Sequence, residues 1–251
     1  MGLLDLLKGK AKASEPPGAA APVDKALARL ARVAGDKHAQ NYDRIEAIET
    51  LARNPSAESA AALLRRFTFH IDPSITDQEE KEAAQRGVLN AGEAAIEPIR
   101  AFCLKAESLT WPMKLLKELV PTDRYQQELI QLLDRFDVEY VRNVDPKHQL
   151  IAELEQYRSA QVRIAVERFL EDVNDDILFA TVKTVLAQED EASVGPLLKT
   201  LLCAESVRVK NRIAEGLASR RWPVPEQLRS EVQRALPRDY VLGSDGTVKP
   251  R

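Results

Sequence analysis

The sequence predicts an all-α protein, a right-handed α-solenoid of about six antiparallel helix pairs over residues 24–236. Three observations carry this. The chain matches itself at an offset of 98 residues. Ile96-Glu97-Pro98-Ile99 falls on Val194-Gly195-Pro196-Leu197, Leu104 on Leu202, and Ala106-Glu107-Ser108 on Ala204-Glu205-Ser206. A proline opening an apolar helix, with the same exit ten residues later, marks a repeated unit. Ala, Leu, Glu and Arg dominate and aromatics are only 5%, a composition that favours helix. Apolar residues also recur at helical spacing in segments of ten to fifteen residues, joined by two to six. No strand pattern competes.

The elements follow from spacing and punctuation. Residues 1–10, MGLLDLLKGK, form a short amphipathic stretch, and residues 11–23 a flexible linker of Ala, Pro, Gly and Ser. Asp24 caps a helix carrying Leu27, Leu30 and Val33, which Gly35 ends. Ile45, Ile48 and Leu51 stripe the next, and Ser56 opens a third through Leu63 and Phe67. A fourth helix runs from Asp77 to Asn90, and Gly92 breaks the chain before Ile96, Ile99 and Cys103. Leu115, Leu116 and Leu119 precede Pro121, and Leu129, Ile130 and Leu133 follow it. Further helices are expected near 146–156, 159–171, 175–188, 192–204, 207–220 and 225–236. Residues 237–251 read as an irregular tail with a Ser-Asp-Gly turn. Second members of pairs begin near 57, 94, 122, 159, 192 and 225, so 98 residues is about three periods. Residues 137–157 fit no repeat well, and the stack is expected to be irregular in its middle.

Composition limits the function. Two cysteines a hundred residues apart make neither a disulfide framework nor a metal site. No apolar run approaches the roughly 18 residues of a membrane-spanning helix. The first ten residues are too short and charged for a signal peptide, so a cytoplasmic setting is expected. Residues 206–251 hold ten Lys/Arg against five Asp/Glu, leaving 26 against 34 before them. Such a basic end suits an acidic partner or a phosphate backbone.

The repeat spacing leads to residues that resemble HEAT repeats. Val207-Arg208-Val209-Lys210 with Ala214 and Leu217 resembles the repeat's first-helix pattern, a Val-Arg pair followed by an Ala-x-x-x-Leu-like run. Val162-Arg163 with Ala165 and Leu170 resembles it too. Ala95-Ile96-Glu97-Pro98-Ile99 and Ser193-Val194-Gly195-Pro196-Leu197 resemble the second helix. The resemblance covers about 24–236 and implies an architecture whose usual work is binding. It further implies that second helices line a concave face, whose polar positions here include Arg65, Arg66, Arg100, Lys199, Arg229 and Arg234.

Candidate chemistry is sparse. Asp172, Asn174 and Asp176 mimic the start of a calcium loop. The sixth position is Ile177 where Gly is needed, and the twelfth is Lys183 where Glu is needed, so helix capping by Asn174 is the better reading. His38, His70 and His148 lack partners at metal spacing. Cys103 and Cys203 read as small buried apolar residues. No nucleophile elbow, phosphate loop or dinucleotide fingerprint is present. Arg220-Arg221-Trp222 closes a helix, either as a packed lid or as an exposed aromatic between guanidiniums of the kind found at binding hot spots.

The expected function is a non-enzymatic scaffold or adaptor that grips a protein partner through Arg65, Arg66, Arg100, Lys199, Arg220, Arg221, Trp222, Arg229 and Arg234. Nucleic-acid binding, similar to HEAT-fold DNA glycosylases, is the alternative, and a phycobilin-lyase type ranks last. No cofactor, metal or small-molecule substrate is expected. Residues 1–10 offer weak peripheral membrane contact or docking into a partner groove.

Overall fold

The computed structural model describes residues 22–251, with side chains from Lys25 onward. The amphipathic segment 1–10 and linker residues 11–21 lie outside the described residues. Among the described residues the regular structure is helical apart from one small hairpin. Its helices are α1 (Pro22–Ala34), α2 (Asn41–Ala52), α3 (Ala57–Leu64), α4 (Ser74–Asn90), α5 (Ile96–Cys103), α6 (Thr110–Leu119) and α7 (Thr122–Leu133). They continue as α8 (Asp145–Leu154), α9 (Ala160–Glu167), α10 (Asp175–Ala187), α11 (Val194–Cys203), α12 (Val207–Arg220) and α13 (Arg229–Ala235). No helix among the described residues is long and apolar enough to cross a membrane.

Local chemistry explains the boundaries. Ser56 and Ser159 accept the backbone N–H of Ser59 and Val162, capping α3 and α9. Asn174 accepts those of Asp176 and Ile177 at the start of α10. Two starts differ from expectation. The helix ending at Asn90 begins at Ser74 rather than Asp77, because Pro73 supplies the extended residue before it. The first begins at Pro22 rather than after Asp24, since Pro suits an initial helical position. The 98-residue self-match is structural as well. Both α5 and α11 follow a short 3₁₀ turn, Gly92–Ala95 and Glu191–Ser193.

Helices pack on their near neighbours in sequence. α2 lies against α3 and α4, α3 against α5, α8 against α10, α10 against α12, and α11 against α12 and α13. The corresponding pairs α5/α7 and α6/α8 approach less closely. Each helix buries a stripe, for example Ile48 and Leu51 of α2, Leu63 and Leu64 of α3, and Val182, Val185 and Leu186 of α10. These join one continuous apolar core.

Polar contacts keep the same order. Side-chain hydrogen bonds between successive helix pairs join residues 25 to 41 apart, and none among the described residues spans more. Several arginines reach back one helix pair to cap carbonyls. Arg135 donates to Cys103 and Leu104, Arg168 to Leu133, and Arg220 to Leu186. Each places positive charge at the negative end of a helix. The longest spacings, 39 to 41, tie Gln149 to Ser108 and Thr110. They arise because residues 134–144, which form no helix, lie between α7 and α8. This loop covers only the first part of residues 137–157, where the sequence fitted no repeat; the rest is α8 and the turn after it.

The C-terminal tail is not irregular. β1 (Tyr240–Leu242) pairs antiparallel with β2 (Val248–Pro250). The turn forms as its Ser-Asp-Gly signal suggested: Asp245 accepts from Thr247 and Lys249, and Gly246 takes φ +80°. The hairpin is anchored, with Val248 buried and the Val224 N–H bonded to the Gly246 carbonyl at 2.8 Å.

Candidate partner-binding surface

The surface follows from how the second helices α3, α5, α7, α9, α11 and α13 present their outer residues. The predicted residues do not form one site on it. Arg65 is exposed at the end of α3, beside Gly35. Arg66 is fully buried, which corrects its reading as a surface contact. Its guanidinium bonds Glu80 at 2.6 Å and Asp77 at 2.7 Å, while Arg44 bonds the same Glu80 at 2.7 Å. Phe69 lies 4.5 Å from the Arg66 guanidinium. This cluster joins α2 to α4 and is structural.

Arg100 is half-buried and pairs with Glu128 of α7 and Glu97. The bond to Glu128 raises its pKa above the ordinary arginine range. Lys199 is exposed but pairs with Glu171, a bond that raises its pKa. Arg168 pairs with Asp134 at 3.3 Å. The second-helix face is therefore laced by ion pairs between neighbouring helices rather than uniformly basic.

Arg220, Arg221 and Trp222 end α12. Arg221 adopts a left-handed conformation, φ 53°. Its N–H bonds Ala218 and that of Trp222 bonds Leu217, the paired bonds of a Schellman cap. The turn folds Trp222 inward, and it is 8% exposed. The packed-lid reading holds, and the exposed-aromatic reading is corrected. Arg220 sits 5.5 Å from the Trp222 ring. Arg229 donates to the Val224 carbonyl under Gly246, while Arg234 is exposed on α13.

Other candidates resolve in the same way. Asp172 forms a buried ion pair with Lys147 at 2.6 Å, so it caps and packs rather than opening a calcium loop. No group of three His, Cys, Asp or Glu in metal-holding geometry occurs among the described residues. Burial pushes the Cys103 thiol up to about 12. Cys203 is exposed, contrary to expectation, because α11 runs past the end of its counterpart α5.

The structure adds a feature that helix periodicity missed. Leu104, Val138, Val173 and Val207 lie where the chain leaves one pair for the next, at spacings of 34, 35 and 34 residues. Leu104 is 56% exposed and Val173 and Val207 are each 69% exposed, while Val138 is half-buried. The Val173 N–H bonds the Val138 carbonyl at 3.2 Å, linking two members. The signal was present as a repeat-length spacing, but Leu104, Val138 and Val173 lie outside the helices and carry no helical phase, and Val207 only opens α12. Grooves accompany the row. One of about 380 Å³ holds Ala101 and Leu104 between α5 and α7. A larger one of about 920 Å³ is lined by Val138, Ile164, Gly195 and Cys203. A third of about 440 Å³ holds Val173, Leu178 and Ala204.

Comparison of the chain with protein-family models, curated proteins and solved structures finds no match.

Proposed function

We propose that this chain is a HEAT-like, right-handed α-solenoid, and that it works as a non-enzymatic cytoplasmic adaptor. In this reading it binds an extended segment of a protein partner along the row Leu104, Val138, Val173 and Val207. The observation that carries the proposal is that row, three exposed and one half-buried apolar side chains recurring at one helix-pair spacing beside ion-paired charges. The short reach of every side-chain hydrogen bond supports the stacked architecture, since a solenoid repeat touches only its neighbours.

The spacing defines a partner chemistry. Packed helices lie roughly 8–10 Å apart, and a partner in the polyproline II conformation rises about 3.1 Å per residue and returns every third side chain to the same face. A partner with an apolar residue at every third position matches the row. A phosphate backbone fits less well, because Arg66 is buried and Arg100 and Lys199 already hold carboxylates. A protein ligand needs no such free positive track.

A photoreactive residue placed at Val173 or Val207 of the full chain tests this. Adducts to a nuclease-resistant protein are expected at both positions and not at Tyr42, which is equally exposed on α2. Adducts that vanish with nuclease treatment, or that form equally at Tyr42, would overturn the reading.

A further inference from the structure

The groove lined by Val138, Ile164 and Gly195 is wide for a reason written in the self-match. Gly195 stands where α5 carries Glu97, each just before the proline of its helix. At α5 the matching groove is lined by the Glu97–Arg100 ion pair and measures about 380 Å³. At α11 a Cβ added to Gly195 would meet nothing within 4 Å, and the groove measures about 920 Å³. Ile164 of α9, 63% exposed, lines it with Leu170 and Pro196. It runs into the groove beside Val173, because the two share Leu170, Glu171, Thr200 and Cys203. Charge along this path is one-sided. Its two cations are already held, Arg168 by Asp134 and Lys199 by Glu171. Asp137 lines one groove and Glu205 the other, both exposed and without an ion pair among the described residues.

We propose that this continuous groove seats a basic and apolar segment of the partner, with a bulky apolar side chain over Gly195 and Lys or Arg at Asp137 and Glu205. The inference rests on the partner-binding row and adds the chemistry of what lies on it. Open backbone between apolar walls takes a large side chain, the kind of residue that anchors interfaces. Free carboxylates at the rim select the partner by charge and repel a phosphate backbone. Asp137 adjoins Val138 and Glu205 is two residues from Val207, so the carboxylates stand about two helix spacings apart. That is roughly 16–20 Å, which about six residues of polyproline II span.

Random peptides displayed on phage and panned against the full chain test this. Enriched sequences should carry Lys or Arg about six positions apart with Leu, Phe or Trp between them. A peptide of the enriched sequence should bind Gly195→Phe at least about tenfold more weakly than the wild type, and Gly195→Ala nearly as well. The backbone accepts a side chain there, as α5 does with Glu97. Asp137→Asn with Glu205→Gln, both on the surface, should weaken binding similarly and flatten its salt dependence. Enrichment of acidic sequences, or of none, would overturn the proposal. So would self-association of the wild-type chain that Gly195→Phe abolishes, which would give the groove to a second copy. Adducts at Val173 and Val207 judge the row separately. Adducts there, with binding indifferent to both variants, would overturn this proposal and leave the row in place.

Discussion

Glu80 sits where two arginines from different helices share one counter-charge. Arg44 comes from α2 and Arg66 from the turn after α3, and all three side chains are buried. Removing one partner of such a cluster leaves uncompensated charge in a region that cannot solvate it. Glu80→Gln is expected to cost about 3–5 kcal/mol in urea denaturation. Asp77 is the second acid of the cluster. Burial raises its pKa, but bonds from Lys81, Arg66 and the Ile71 N–H more than offset this and hold its carboxyl well below the usual range. A depressed folded pKa contributes stability above the unfolded value of about 3.9, and that contribution is lost as the pH falls further. Asp77→Asn should therefore be less stable at neutral pH and converge on the wild type in acid, as denaturation at several pH values would show. Nothing in the sequence announced this cluster. Arg66 on a helix reads as solvated because its partners lie eleven to fourteen residues away, outside any helical period.

Helix ends show how far punctuation can be read. Gly92 after α4 was legible as a break, because glycine accepts the left-handed conformation without cost, and its φ is +57°. Glu189 after α10 and Arg221 after α12 do the same at φ 55° and 53°, with no residue signal to show it. A non-glycine residue there is strained by roughly 1–2 kcal/mol. Arg221 is exposed and its side chain holds no ion pair among the described residues, so relief should come without loss. Arg221→Gly is expected to stabilise the chain by about 1 kcal/mol and raise Tm by about 2–4 °C in calorimetry. Close helix contact is the opposite case. A Cβ on Gly216 of α12 would lie 2.4 Å from Leu186 of α10, so Gly216→Ala should cost about 1–3 kcal/mol. The hairpin was only half legible. Its turn carried a signal, but strands of three residues are too short to show an alternation.

Across the whole molecule the helical character and the repeat length were legible, since both are written in apolar spacing and in the 98-residue self-match. The apolar row was not, because it depends on the loops that separate the pairs. A structure whose bonds reach only one pair onward transmits disturbance poorly along its length. Amide exchange in Glu80→Gln should accelerate in α2 to α4 and stay unchanged in α12. Uniform acceleration would mean that the helices form a single cooperative unit. The insertion at 134–144 and the sparse packing of α5 on α7 and α6 on α8 bear on load. A pull applied along the stack passes through every junction in series, so extension concentrates at the most compliant one. There side-chain tethers, among them Arg100 to Glu128 and Lys117 to Glu153, supplement the apolar core that runs through Leu116, Leu129 and Leu150. The ion-paired share of that junction weakens as ionic strength rises, while its apolar share does not.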